Sequence, residues 1–179
     1  MTDDADFRSA RRVRYRIPDR LSTNSLAQWL RDALTGPAHI GEPEVVWEDR
    51  ESQVLLHVAR LQVRTIERAL VVAVDTETAE FGEAPLIVRL VFGSGRDPAS
   101  LVASSDELVN GDPRVAGRWG SLFRGVVWAA IVRLSEAHAG ERGLQSRSIS
   151  ILGDHVRLTA EPAAPITRLA AANRRGAAR

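Results

Sequence analysis

The apolar and polar positions of this chain switch between the two-residue period of strands and the wider period of helices. Val13, Tyr15 and Ile17 alternate with Arg12, Arg14 and Arg16, which predicts a strand over 12–17 closed by Pro18-Asp19. Leu26, Trp29, Leu30 and Ala33 then recur at helical spacing, behind Ser22-Thr23-Asn24 as N-cap candidates and ahead of the stop signal Gly36-Pro37. Strands are expected over 44–47, 54–65, 70–76 and 85–92, with turns at 49–52 and 67–68. The alternation loses phase between His57 and Arg60, which is the mark of a bulge.

The central hairpin has a register that pattern alone selects. With Ile66 opposite Ala69, Leu61, Val63 and Thr65 share a face with Leu70, Val72 and Val74. Arg60, Gln62 and Arg64 then share the other face with Val71, Ala73 and Asp75, and Arg60 lies across from Asp75. One face is clean core and the other is mixed, whereas a one-residue slip would mix both. Pairing the next strand about Phe81 adds Ile87, Arg89 and Val91 to the mixed face.

Asp97-Pro98 and Asp112-Pro113 each place a capping acid before a proline at the first helical position. The first predicts a short helix ending at Asn110-Gly111, restarted midway by a Ser104/Glu107 capping box. The second opens the longest helix, 113–139. A second hairpin, 147–152 with 155–160, turns at Gly153-Asp154 with a type II′ signature. The predicted class is α+β: a mainly antiparallel sheet, made of a four-strand meander and a C-terminal hairpin, packed on a long helix and two shorter ones. Residues 1–8 read as a flexible lead, 9–161 as one domain and 162–179 as an Ala- and Arg-rich tail.

Composition narrows the chemistry. With no cysteine among 179 residues, disulfides, thiol nucleophiles and thiolate metal sites are excluded. No apolar run reaches the ~20 residues of a membrane span, and the acidic start lacks a signal-peptide core, so a cytoplasmic protein without membrane insertion is expected. All 24 basic residues are arginine, a usage that codon bias explains better than a phosphate- or carboxylate-binding role does. The net charge of +1 gives no bulk field for nucleic acid. Arg8, Arg11, Arg12, Arg14 and Arg16 form the densest basic patch. It is read as a charged edge strand, because Tyr15 points to the core and is not free to stack on bases.

The catalytic signatures are weak. Gly93-Ser94-Gly95 is a fragment of a glycine-rich loop, but no lysine follows and Asp97 takes the anion's place. His39, His57, His138 and His155 are scattered and sit in no recognised motif. Asp75, Glu77, Glu80 and Glu83 are the best acidic set for a hard cation, yet a cross-strand pair with Arg60 and a solvated turn around Gly82 account for them. No cofactor and no metal is therefore expected.

Two surfaces stand out instead. The long helix has a narrow polar face, and its apolar stripe runs through Val115, Trp119, Leu122, Val126, Ala130 and Leu134, widened by Phe123, Val127 and Ile131 and carried further round by Trp128 and Val132. Gly117, Ser121, Gly125 and Ala129 form a row of small residues suited to close backbone approach. The outer sheet face, with Val71, Ala73, Ile87, Arg89 and Val91, mixes apolar groups with arginine in the manner of an interface. The leading expectation is a non-catalytic interaction or assembly subunit with a protein partner or a second copy of itself. An enzyme with a dispersed site, hydrolytic or metal-dependent, and a nucleic-acid module using the N-terminal arginines remain the rivals.

Overall fold

The computed structural model describes residues 16–36, 44–67, 69–92 and 112–163. In chain order the elements are β1 (Arg20–Ser22), α1 (Thr23–Thr35), β2 (Glu44–Glu48), β3 (Gln53–Ile66), β4 (Ala69–Thr78), β5 (Gly82–Val91), α2 (Pro113–Gly140), β6 (Gln145–Leu152) and β7 (His155–Glu161). The α+β class holds, but the strands form two antiparallel sheets where one was expected. A four-stranded meander runs β2-β3-β4-β5, and a three-stranded sheet is ordered β1-β7-β6.

The N-terminal strand is a correction. Arg16 and Ile17 lie outside any strand, and the pairing segment is Arg20–Ser22, set against β7 with Leu21 opposite Val156. Pro18 precedes the strand where it was expected to end one, and the β1 ladder is extended by Leu158, whose N–H donates to the Asp19 carbonyl. Positions 8–15, the expected helix after Asp97-Pro98 and the tail beyond 163 lie outside the described residues. Two helices are therefore seen where three were expected.

Both helices begin and end as their sequences dictate. The Ser22 hydroxyl accepts from Ser25 N–H at the start of α1, and Gly36, at φ +77°, closes it. The Asp112 carboxylate accepts from Arg114 N–H, with Pro113 at the first turn of α2. α1 buries Leu26, Ala27 and Leu30, and its Trp29 indole donates to the Ala130 carbonyl at 3.1 Å, which docks it on α2.

The central hairpin has the expected register, with Ile66 opposite Ala69 and Gln62 opposite Ala73. Leu61, Leu70, Val72 and Val74 are buried to within 1%. The register shifts between His57 and Gln62, so Val58 and Leu61 both reach the core while Ala59 and Arg60 stay outside. The carbonyl of Leu61 accepts from Arg31 of α1 at 2.8 Å, which satisfies backbone that the bulge leaves without a ladder partner. The turn between β4 and β5 centres on Glu80 and not on Phe81, because Thr78 pairs with Gly82. The Thr78 hydroxyl accepts from Phe81 N–H and holds that turn. The two-residue shift leaves every side chain on its expected face. The turn at Gly153, φ +61°, has the type II′ sign, since Asp154 keeps an ordinary φ.

One continuous apolar cluster joins the inner faces of both sheets to α1 and α2. On α2 the buried stripe passes through Trp119, Phe123, Val127, Ile131 and Leu134. Leu122 was expected in the stripe but is 46% exposed, and Val126 is half-buried. The packed stripe drifts around the helix, as fourfold spacing on a 3.6-residue turn requires.

Candidate interface on the four-stranded sheet

The inner face of the meander is filled by the helices, so its outer face decides what the sheet meets. On β4 the outer positions are Val71, Ala73, Asp75 and Glu77, and their β5 neighbours are Arg89, Ile87, Pro85 and Glu83. Val71, Ala73, Ile87, Arg89 and Val91 all lie there half-buried. The structure thus gathers the whole sheet portion of the expected interface. Sequence reasoning missed its margins: Val46 on β2 and Ile66 at the end of β3 are 58% and 51% exposed. The signal for Val46 was present in the alternation of Glu44, Val46 and Glu48 against Val45 and Trp47.

Charge on this face is graded along the strands. Arg64 and Arg89 flank Val71 near the β3–β4 turn. Toward the other end lie Asp75, Glu77, Glu83 and Glu44. His57 stands among these acids, with Nδ1 3.5 Å from Glu44 and Nε2 3.8 Å from Glu77, and its side chain is 16% exposed. Arg60 reaches Asp75 at 4.0 Å, as expected, although Asp75 sits opposite His57 in the ladder and the bulge carries Arg60 across. Both partners are more than half exposed, so this pair contributes under ~1 kcal/mol.

The small-residue row of α2 is placed differently. Gly117, Ser121 and Gly125 are exposed and Ala129 is half-buried. A Cβ built at Gly117 or Gly125 would meet nothing within 4 Å. Among the described residues no backbone lies against the row at those positions, so any close approach there comes from outside the described fold. Beside the row, α1 and α2 border a cleft of about 240 Å³ lined by Trp29, Asp32, Ala33, Ala130 and Arg133.

A second titratable cluster joins distant parts of the chain. His138 is 2% exposed, and its Nε2 lies 2.9 Å from Asp19 Oδ1. Arg142 donates to Asp19 Oδ1, to the Ile17 carbonyl and to the His138 carbonyl, while Ile17 N–H donates to Glu141. His138 Nδ1 is buried without a partner. The hydrogen bond from His138 is the main reason the Asp19 carboxyl sits below the usual range, and Arg142 adds to it. The cluster clamps the segment before β1 onto the end of α2. Nothing local in sequence signals it, because its members lie over a hundred residues apart.

Arg118 of α2 likewise grips the β2–β3 turn, donating to both Asp49 oxygens at 2.8 and 2.7 Å and to Glu51 at 3.3 Å. That fork holds the Asp49 carboxyl well below the ordinary range. Of the expected basic patch only Arg16 is described, and it is exposed; Arg8, Arg11, Arg12 and Arg14 lie outside the described residues. His155 is bound to its neighbour Asp154 in the second hairpin turn, and His39 lies outside the described residues. Among the described residues no group of three or more acids and histidines is arranged to hold a metal ion, and no helix is long and apolar enough to cross a membrane. Comparison with protein-family models, with curated proteins and with solved structures returns no match.

Proposed function

We propose that this chain is a non-catalytic assembly subunit of a cytoplasmic complex, presenting the outer face of β2–β5 to a protein partner. One observation carries the reading. A full sheet face holds half-buried Val71, Ala73, Ile87 and Val91 beside arginines, with Val46 and Ile66 more than half exposed. A solvated sheet face is ordinarily polar at alternate positions, and a mixed apolar and arginine surface has the composition of an interface core. The charged groups of the chain fit this role better than chemistry. Asp49 and Asp112 are each tied up by an arginine fork, and His57 stands among acids that open to solvent, with Glu44 and Glu77 about half exposed.

The test is the native mass of the complex purified from its own host, with its protein composition. A mass above one chain supports the reading. A single-chain mass overturns it, as does any turnover that His57→Ala abolishes while the fold survives.

A further inference from the structure

Resting on that assembly reading, we infer that the partner on this face is a second copy of the same chain, packed sheet to sheet. The face is its own electrostatic complement. Its two ends carry opposite charge, with Arg64 and Arg89 flanking Val71 at one and Glu44, Glu77 and Glu83 at the other. Ala73 and Ile87 form an uncharged waist next to the arginine end. Glu67 lies beyond the arginine end, in the turn. From the Val71 row to the Glu77 row is roughly 20 Å along β4 at strand spacing.

A two-fold axis lying in the interface and crossing the strands near Ala73 and Asp75 reverses strand direction between the copies. It sets the arginine end of each sheet over the acidic end of the other and lays the Ala73–Ile87 waist of each over the Asp75 row of the other, next to the axis. An axis along the strands would instead stack like charge on like, so electrostatics selects one arrangement. This is the isologous contact of a closed dimer. Val46 and Ile66, the two most exposed large aliphatic side chains among the described residues, sit toward opposite ends of the face on neighbouring strands. The same axis brings the Val46 end of one copy over the Ile66 end of the other. Shielding from water is thus needed at both ends and supplied at both.

The size suffices. Three strands of about ten residues and the five of β2, at ~4.8 Å spacing, present roughly 600 Å² per face. Pairing two such faces buries ~1,200 Å², at the lower bound of the ~1,200–2,000 Å² of stable specific interfaces. The strands run aligned in such a packing, as sheets stacked face to face do.

The experiment uses the full chain and native mass in solution, with charge reversal at either end. Wild type should have the mass of two chains. Arg64→Glu with Arg89→Glu, and separately Glu77→Arg with Glu83→Arg, should each give one chain. An equimolar mixture of the two variants should restore two. Unchanged circular dichroism and thermal midpoints show that each variant folds. Because the chain has no cysteine, Ala73→Cys provides a single thiol at the waist, expected to be shielded at high concentration and reactive on dilution.

Restored dimers in the mixture, with a concentration-dependent thiol, support the inference. A wild-type monomer with a reactive thiol overturns it and leaves the face to a different protein. A wild-type monomer with a shielded thiol overturns it in favour of coverage by the chain's own remaining residues. A wild-type dimer that survives both charge reversals overturns it by placing the contact elsewhere. A host complex containing other proteins, found together with a monomeric pure chain, would leave the assembly reading standing and remove only the second copy.

Discussion

At the level of single residues, the chain secures two long-range joints and one helix start with carboxylates held below their ordinary range. Asp19 is lowered chiefly by His138, Asp49 by Arg118, and Asp112 to about 2 by the Arg114 side chain and N–H. Each is ionised and bonded in the fold but titrates near 3.8 when unfolded. Their stabilisation is therefore complete above about pH 4 and is lost as pH falls through the folded values. The thermal midpoint should fall steadily from pH 4 to pH 2. Asp49→Asn and Asp112→Asn should start lower at pH 6 and fall less steeply. Parallel curves for wild type and variants would show that these carboxylates carry no such linkage. None of these partnerships was legible in sequence except the Asp112 cap. A cap is local and declares itself in the following proline, whereas Arg118 finds Asp49 only after α2 crosses the β2–β3 turn.

At the level of elements, local pattern succeeded wherever one face is buried. The β3–β4 register, the bulge after His57 and both helix caps follow from alternation and punctuation in the sequence. It missed β1: the strand suggested by Val13, Tyr15 and Ile17 does not reach Arg16 or Ile17, and the described pairing segment is Arg20–Ser22, too short to show any period. The sheet portion of the candidate interface was visible because a correct register sorts both faces at once. For the glycine row of α2, spacing alone cannot say which side of the helix another element occupies, and the open space there has a measurable consequence. Gly125 is exposed with open space at its Cβ position, so Gly125→Ala should stabilise the chain by ~1 kcal/mol through helix propensity. Denaturant unfolding checks this, with native mass as the control. A loss of stability together with a loss of mass would show that a second chain occupies the row.

At the level of the whole molecule, the two sheets have different histories. Every pairing in the meander joins neighbours in sequence, so each strand can be placed as soon as the next exists. The smaller sheet is closed by β1 against β7, with Leu21 opposite Val156 and the Asp19–His138–Arg142 clamp beside them. β1 thus waits for β7, and a loop of more than a hundred residues must close before that pairing gains anything. Contacts of this kind are expected to form late, after the transition state for folding. Leu21→Ala removes a side chain that is 7% exposed and should cost ~2–3 kcal/mol. Most of that cost should appear as faster unfolding, with the refolding rate nearly unchanged; equal changes in both limbs of a stopped-flow chevron would contradict it. On the ribosome the same geometry sets a timetable. The meander is complete while α2 is still being made, but Leu21 stays without its partner until Val156 has emerged, so the nascent chain carries an unsealed core until β7 is out.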